Sequence, residues 1–97
     1  MPKAYVICDI DVIDPEAYEE YRRLSSLAAA AHDVRFIVRG GATEVLEGDR
    51  VPNRTVVLEF ASADAARAWY HSPEYTAARE ARKDAALGSF ILVEGTD

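Results

Sequence analysis

The stretch of residues 3–12, KAYVICDIDV, alternates with a period of two, and no other segment constrains the fold as tightly. Ala4, Val6, Cys8, Ile10 and Val12 fall on one face, an apolar set suited to a sheet surface covered by helices. Tyr5, Ile7, Asp9 and Asp11 fall on the other face. A strand meeting only water on that side would not be expected to carry Tyr5 and Ile7 there.

The next signals are helical. Asp14 can cap free N–H groups, Pro15 suits the first helical position and Glu16 complements the positive end of the dipole. A helix to about Ala31 follows, with Tyr18, Tyr21, Leu24, Ser25 and Ala28 on one stripe. Three extended segments are predicted next: Arg35 to Arg39, Thr43 to Glu47 and Arg54 to Ala61. Gly40-Gly41 separates the first two, and the turn-rich Gly48–Asn53 loop separates the second from the third. Ser62 opens a second helix and Ser72-Pro73 restarts it, because Pro73 prevents smooth continuation. That last piece is expected to reach about Ala86, with Gly88 ending it and residues 89–94 forming the final strand. With the short 43–47 strand set aside, the order is the α+β ferredoxin-like βαββαβ pattern, an antiparallel sheet with its helices on one face. The other face is then left uncovered.

Ninety-seven residues, 49% hydrophobic and 29% charged, make one globular domain over residues 1–97. The net charge of −6 argues against nucleic acid and anionic membrane as partners. The lone Cys8 excludes a disulfide framework and a CxxC pair. No apolar run approaches the roughly 20 residues that span a bilayer, and no leader pattern is visible, so the expected location is cytoplasmic.

Parity places several ionisable residues on the uncovered face: Asp9 and Asp11, either Arg35 or Arg39, Glu47, and either Arg54 or Glu59. The facing of residues 35–39 is ambiguous, since Phe36 and Val38 share one parity and Ile37 shares the other with the arginines. In the 54–60 segment, Val56, Leu58 and Phe60 are the more apolar set, which puts Thr55, Val57 and Glu59 opposite. Charges enclosed between two sheets are costly unless paired. Such residues would form either interface ion pairs or a polar pocket.

Asp14-Pro15-Glu16-Ala17-Tyr18, Tyr21, Val38-Arg39-Gly40-Gly41 and Glu44-Val45-Leu46-Glu47-Gly48 resemble the 1330 family of domains of unknown function. Val57-Leu58-Glu59-Phe60, Ala66-Arg67-Ala68-Trp69-Tyr70, Ser72-Pro73-Glu74-Tyr75 and Arg82 continue the match over essentially the whole chain. The resemblance implies a dimeric α/β-barrel in which two ferredoxin-like protomers pack sheet to sheet. Relatives in that group include cofactorless monooxygenases and lactone isomerases, but the family brings no established reaction. Many members carry Gly-Gly just before the Arg35 strand, where this chain has Asp33-Val34; Asp33 is then the residue to take the left-handed position.

Arg39-Gly40-Gly41 has two readings. Arg39 either clamps a carboxylate while the glycines admit a ligand to the backbone, or pairs with Glu47 or Asp9 at a strand end. In both it is expected to be buried. Glu47 and Asp9 are each a candidate general base or an arginine counter-ion. His71, between two helical pieces, either shuttles a proton at the pocket mouth or is a surface kink residue, and His32 ends a helix where a cation suits the dipole. Ser72 reads as a cap, and Cys8 as a small buried hydrophobe. The aromatic stripe of Tyr18, Tyr21, Trp69, Tyr70 and Tyr75 reads as core and interface. No metal site and no cofactor are expected, and no GxSxG elbow, phosphate loop or dinucleotide fingerprint is present. The leading reading is a homodimer binding a small anionic or oxygenated organic molecule in one pocket, with Arg39, Gly40, Gly41, Glu47 and Asp9 as its ligand contacts. Asp9, Glu47 and His71 are its catalytic candidates. The alternatives are a cofactor-independent isomerase or monooxygenase, and a purely structural dimerisation module.

Overall fold

The computed structural model describes residues 2–96. Its elements are β1 (Ala4–Val12), α1 (Pro15–Ala31), β2 (Arg35–Arg39), β3 (Arg54–Phe60), α2 (Ala63–Tyr70), α3 (Pro73–Arg82) and β4 (Ala86–Glu94). β1, the most regularly alternating segment, takes a central place in the four-stranded sheet of order β2-β3-β1-β4. It pairs antiparallel with β3, Val6 opposite Leu58, and antiparallel with β4, Val6 opposite Leu92. This is the expected α+β ferredoxin-like arrangement.

The helices cover the face that carries Val6, Cys8 and Ile10 from β1 and Val56, Leu58 and Phe60 from β3. Trp69 and Tyr75 fill the centre of that layer, with ring centroids 4.0 Å apart, and both are essentially inaccessible. The Tyr75 hydroxyl lies 2.7 Å from that of Tyr21, so two buried phenols satisfy one another. All three helix starts follow the sequence signals. Asp14, Ser62 and Ser72 accept from the backbone N–H groups of Ala17, Ala65 and Tyr75, respectively. Asp33 takes the left-handed conformation at φ 54°, as expected for the turn after α1.

Two boundaries differ from expectation. Thr43 to Glu47 is not a strand: both edges of β3 are already filled, by β1 and β2, and Gly40, at φ 76°, turns the chain away. The last strand starts at Ala86 and contains Gly88 rather than following it, because Val12 and Asp11 of β1 take Ala86 and Leu87 as partners. α3 accordingly ends at Arg82.

A third irregularity decides where the arginines point. Arg35 pairs with Glu59 and Phe36 with Leu58, but the register then slips, and Val38 pairs with Val57 and Arg39 with Val56. Ile37 is the extra residue of a β-bulge. Strict alternation would hold Arg35 and Arg39 on one face. The bulge leaves Arg35 and Val38 on the open face and turns Phe36 and Arg39 to the helix side.

Candidate functional site

The side of the sheet without helices presents Tyr5, Ile7 and Asp9 from β1, Thr55, Val57 and Glu59 from β3, and Ser89, Ile91 and Val93 from β4. Ile91 and Val93 are 57% and 43% exposed, so this surface is more apolar than water requires. Its charges are paired locally. Glu59 accepts from the Tyr5 hydroxyl at 3.2 Å and lies 3.6 Å from Lys3 Nζ and 3.9 Å from Arg35 Nη1.

Beside these strands the loop between β2 and β3 borders a shallow, solvent-open recess of about 500 Å3. Ile7, Asp9 and Thr55 form its floor, and Glu44 to Glu47 with Arg50 and Pro52 form its wall. Asp9 Oδ1 accepts from the Asn53 backbone N–H at 2.8 Å, and Oδ2 lies 3.9 Å from Arg50 Nη2. The Asp9 contact ties the loop's far end to the strand. Val45, Leu46 and Val51 remain exposed along the loop, Leu46 at 88%.

The structure therefore divides the residues that the sequence groups in one pocket. Asp9 and Glu47 both line the recess. Arg39 is exposed rather than buried and pairs with neither of them. It lies on the helix side, donates from Nη2 to Ser26 Oγ at 2.9 Å, and stacks its guanidinium 4.0 Å above the Phe36 ring. Gly40 and Gly41 sit beside it at the strand end, with open space around Gly41. His71 is in a third place. It ends α2, exposed, next to a shallow groove lined by Val6, Tyr70, Phe90 and Leu92.

Titration behaviour separates the inert groups from the reachable ones. Burial pushes the Cys8 thiol up to about 12, only partly offset by Arg82, so it stays protonated and unreactive near neutrality. Burial likewise raises Tyr18, Tyr21 and Tyr75. Arg39 moves the other way: partial burial, then the neighbouring Arg22 and Arg54, pull it below the ordinary arginine value. His32 bonds Glu74 at 3.0 Å and so joins the end of α1 to the start of α3, a structural role. Among the described residues no three His, Cys, Asp or Glu side chains are placed to share a metal ion. Among the described residues no helix is long and apolar enough to cross a membrane.

Sequence reasoning missed Arg50 and Pro52 as lining of the recess and the Asn53 amide as the partner of Asp9. Gly48–Asn53 carries a turn signal but no alternation, so its side chains cannot be assigned to a face.

The model of a family described as a domain of unknown function, DUF1330, matches residues 3–96. The chain belongs to the DUF1330 family. No functionally curated protein matches this DUF1330 chain. Solved structures share its fold at low identity. A protein of unknown function from Rhodopseudomonas palustris superposes with a TM-score of 0.75 at 19% identity, over 99% of this chain and 84% of that one. A dimeric ferredoxin-like protein of unknown function from Thermobifida fusca gives 0.66 at 18% identity, over 97% and 92%. SnoaB, a cofactor-independent oxygenase from Streptomyces nogalater, gives 0.58 at 15% identity, over 100% and 96%.

Proposed function

We propose that this DUF1330 chain acts as a homodimer that encloses a small, neutral, hydroxyl-bearing organic molecule in the recess on its open sheet face. The observation that carries this reading is that Asp9 and Glu47, remote in sequence, line one recess of about 500 Å3 beside an uncovered apolar sheet surface. A second copy laid face to face would bury Val38, Ile91 and Val93 and give the exposed Leu46 and Val51 an apolar neighbour. The dimeric ferredoxin-like relative from Thermobifida fusca supports that assembly by analogy of fold.

The lining refines the ligand chemistry. Asp9, Glu44 and Glu47 face a single cation, Arg50, so the recess repels an anion and offers acceptors to hydroxyl groups. The anionic half of the original expectation is thereby set aside for this recess. The Asn53 N–H fixes the Asp9 carboxylate by one hydrogen bond and leaves lone pairs on both oxygens to accept from a ligand hydroxyl, which supports binding.

The test is a titration of the full chain with neutral hydroxylated probes, catechol and glycerol, followed by backbone amide resonances. The expected result is saturable shifts at Asn53 and Thr55, with affinity at least about 10-fold weaker in Asp9→Ala. Shifts confined to other regions, or equal affinity in the variant, would remove the recess as the site.

A further inference from the structure

We propose that Arg39 and Arg54 form a second binding site, on the helix side of the sheet, for the carboxylate of a short-chain organic acid. This goes beyond the recess reading and does not depend on it, since the two sites lie on opposite faces of β1–β3.

The chain is acidic, with 17 carboxylate residues against 11 lysines and arginines, and most of its arginines have found one. Arg22 pairs with Glu19, Arg23 with Glu20, Arg35 with Glu59, Arg50 with Asp9 and Arg67 with Asp64. Arg39 and Arg54 pair with no carboxylate among the described residues, although the bulge in β2 turns Arg39 to the face on which Arg54 and Arg22 lie. Arg22 has Glu19 as its counter-ion, but Arg39 and Arg54 have none of their own, and a bound anion relieves the repulsion between them. Arg79 and Arg82 also lack carboxylates, Arg79 resting 4.4 Å from Tyr70 and Arg82 4.5 Å from Phe90 and 5.7 Å from Tyr21, but neither lines the cavity that Arg39 and Arg54 share.

Glycine makes room for the Arg54 fork at the end of β2. A Cβ at Gly40 would lie 2.2 Å from Arg54 Nη1, so the guanidinium rests directly on the Gly40 backbone. Behind the fork lies a cavity of about 20 Å3 whose walls include Tyr21, Phe36, Arg39, Arg54 and Trp69. Two buried donors in this wall, Arg54 Nε and Trp69 Nε1, have no acceptor. A carboxylate is the ligand that supplies acceptors in the plane of a guanidinium fork. The cavity sets the size of the remainder: its volume matches roughly one water or one methyl group. The enclosed part of the acid is therefore about one carbon, and a second carbon would lie at the entrance. Phe36, beneath the Arg39 guanidinium, supplies the apolar side of the entrance.

The experiment titrates acetate, propionate, benzoate and sulfate into the full chain at constant ionic strength, reading amide shifts at Ser25, Ser26 and Gly41. Acetate and propionate should give saturable shifts, at least about 10-fold weaker in Arg39→Gln and in Arg54→Gln. Benzoate, too large for the cavity, should bind at least about 10-fold more weakly than acetate. Each variant's thermal midpoint is recorded. If Arg54→Gln does not fold, Arg39→Gln, on the exposed rim, carries the result. The proposal is overturned if acetate shows no saturable shift, if Arg39→Gln binds it as well as the wild type, or if sulfate or benzoate binds equally well.

Discussion

The two faces of one sheet behave as different materials. On the helix side, β1 contributes Val6, Cys8 and Ile10 to a layer closed by Trp69, Tyr75 and Phe60, in which nearly every side chain has neighbours from the same chain. On the other side, the same strand contributes Tyr5, Ile7 and Asp9 to a surface where Ile91 is 57% exposed and the two acids, Asp9 and Glu59, are held by arginine, lysine, tyrosine or a backbone amide. The first face is complete within the protomer. The second has apolar area and arranged charge but no cover, which is how an interface or a ligand site differs from a core. Cation placement runs the same way. Arg35 and Arg50 serve acids on the open face, whereas Arg39 and Arg54 stand without acids on the closed one.

If this contrast is right, equal changes on the two faces will have unequal effects. Trp69→Ala should be the most damaging, costing about 3–5 kcal/mol by leaving a cavity among Phe60, Tyr70 and Tyr75, and a denaturant titration measures it. A comparable loss from Ile91→Ala, measured at a concentration where only the protomer is present, would break the comparison.

The second test concerns Cys8. Its folded pKa, about 12, exceeds its ordinary value of 9.0, so below pH 9 both folded and unfolded states hold the proton and the stability is full. As pH rises from 9 toward 12 the unfolded chain gives up that proton first, and stability falls. The buried tyrosines act with the same sign. Cys8→Ala should make the decline between pH 9 and 12 shallower, and iodoacetamide at pH 8 should leave folded wild-type Cys8 unmodified. Rapid alkylation without unfolding would show that the helix-covered face is not closed.

Smaller effects sharpen the picture further. Ser72→Ala removes the cap that accepts from Tyr75 N–H and should lower stability by about 1 kcal/mol in the same denaturant assay. Arg35→Ala, which loses only a 3.9 Å pairing at an exposed side chain, should change protomer stability by no more than about 0.5 kcal/mol.

Much of this was legible in the residues. Alternation in β1 located the central strand and its two faces, and Asp14-Pro15 and Ser72-Pro73 marked helix starts that the structure keeps. The demand for φ > 0 after α1 pointed to Asp33. Other features have no local signature. Whether 43–47 forms a strand depends on a free edge beside it, and β3 has none, a property of the assembled sheet. The bulge at Ile37 is invisible in RFIVR, yet it moves Arg39 across the sheet and separates it from Asp9 and Glu47. One extra residue in a five-residue strand thus turned one expected pocket into two places with opposite charge.

The central claim is that the open face is completed by a second copy of the chain. Sedimentation equilibrium of the full chain at micromolar concentration measures this directly. The account predicts a species of twice 10.7 kDa that reverts to 10.7 kDa in Ile91→Glu with the thermal midpoint of the protomer retained. A wild-type chain that sediments only at 10.7 kDa would contradict it.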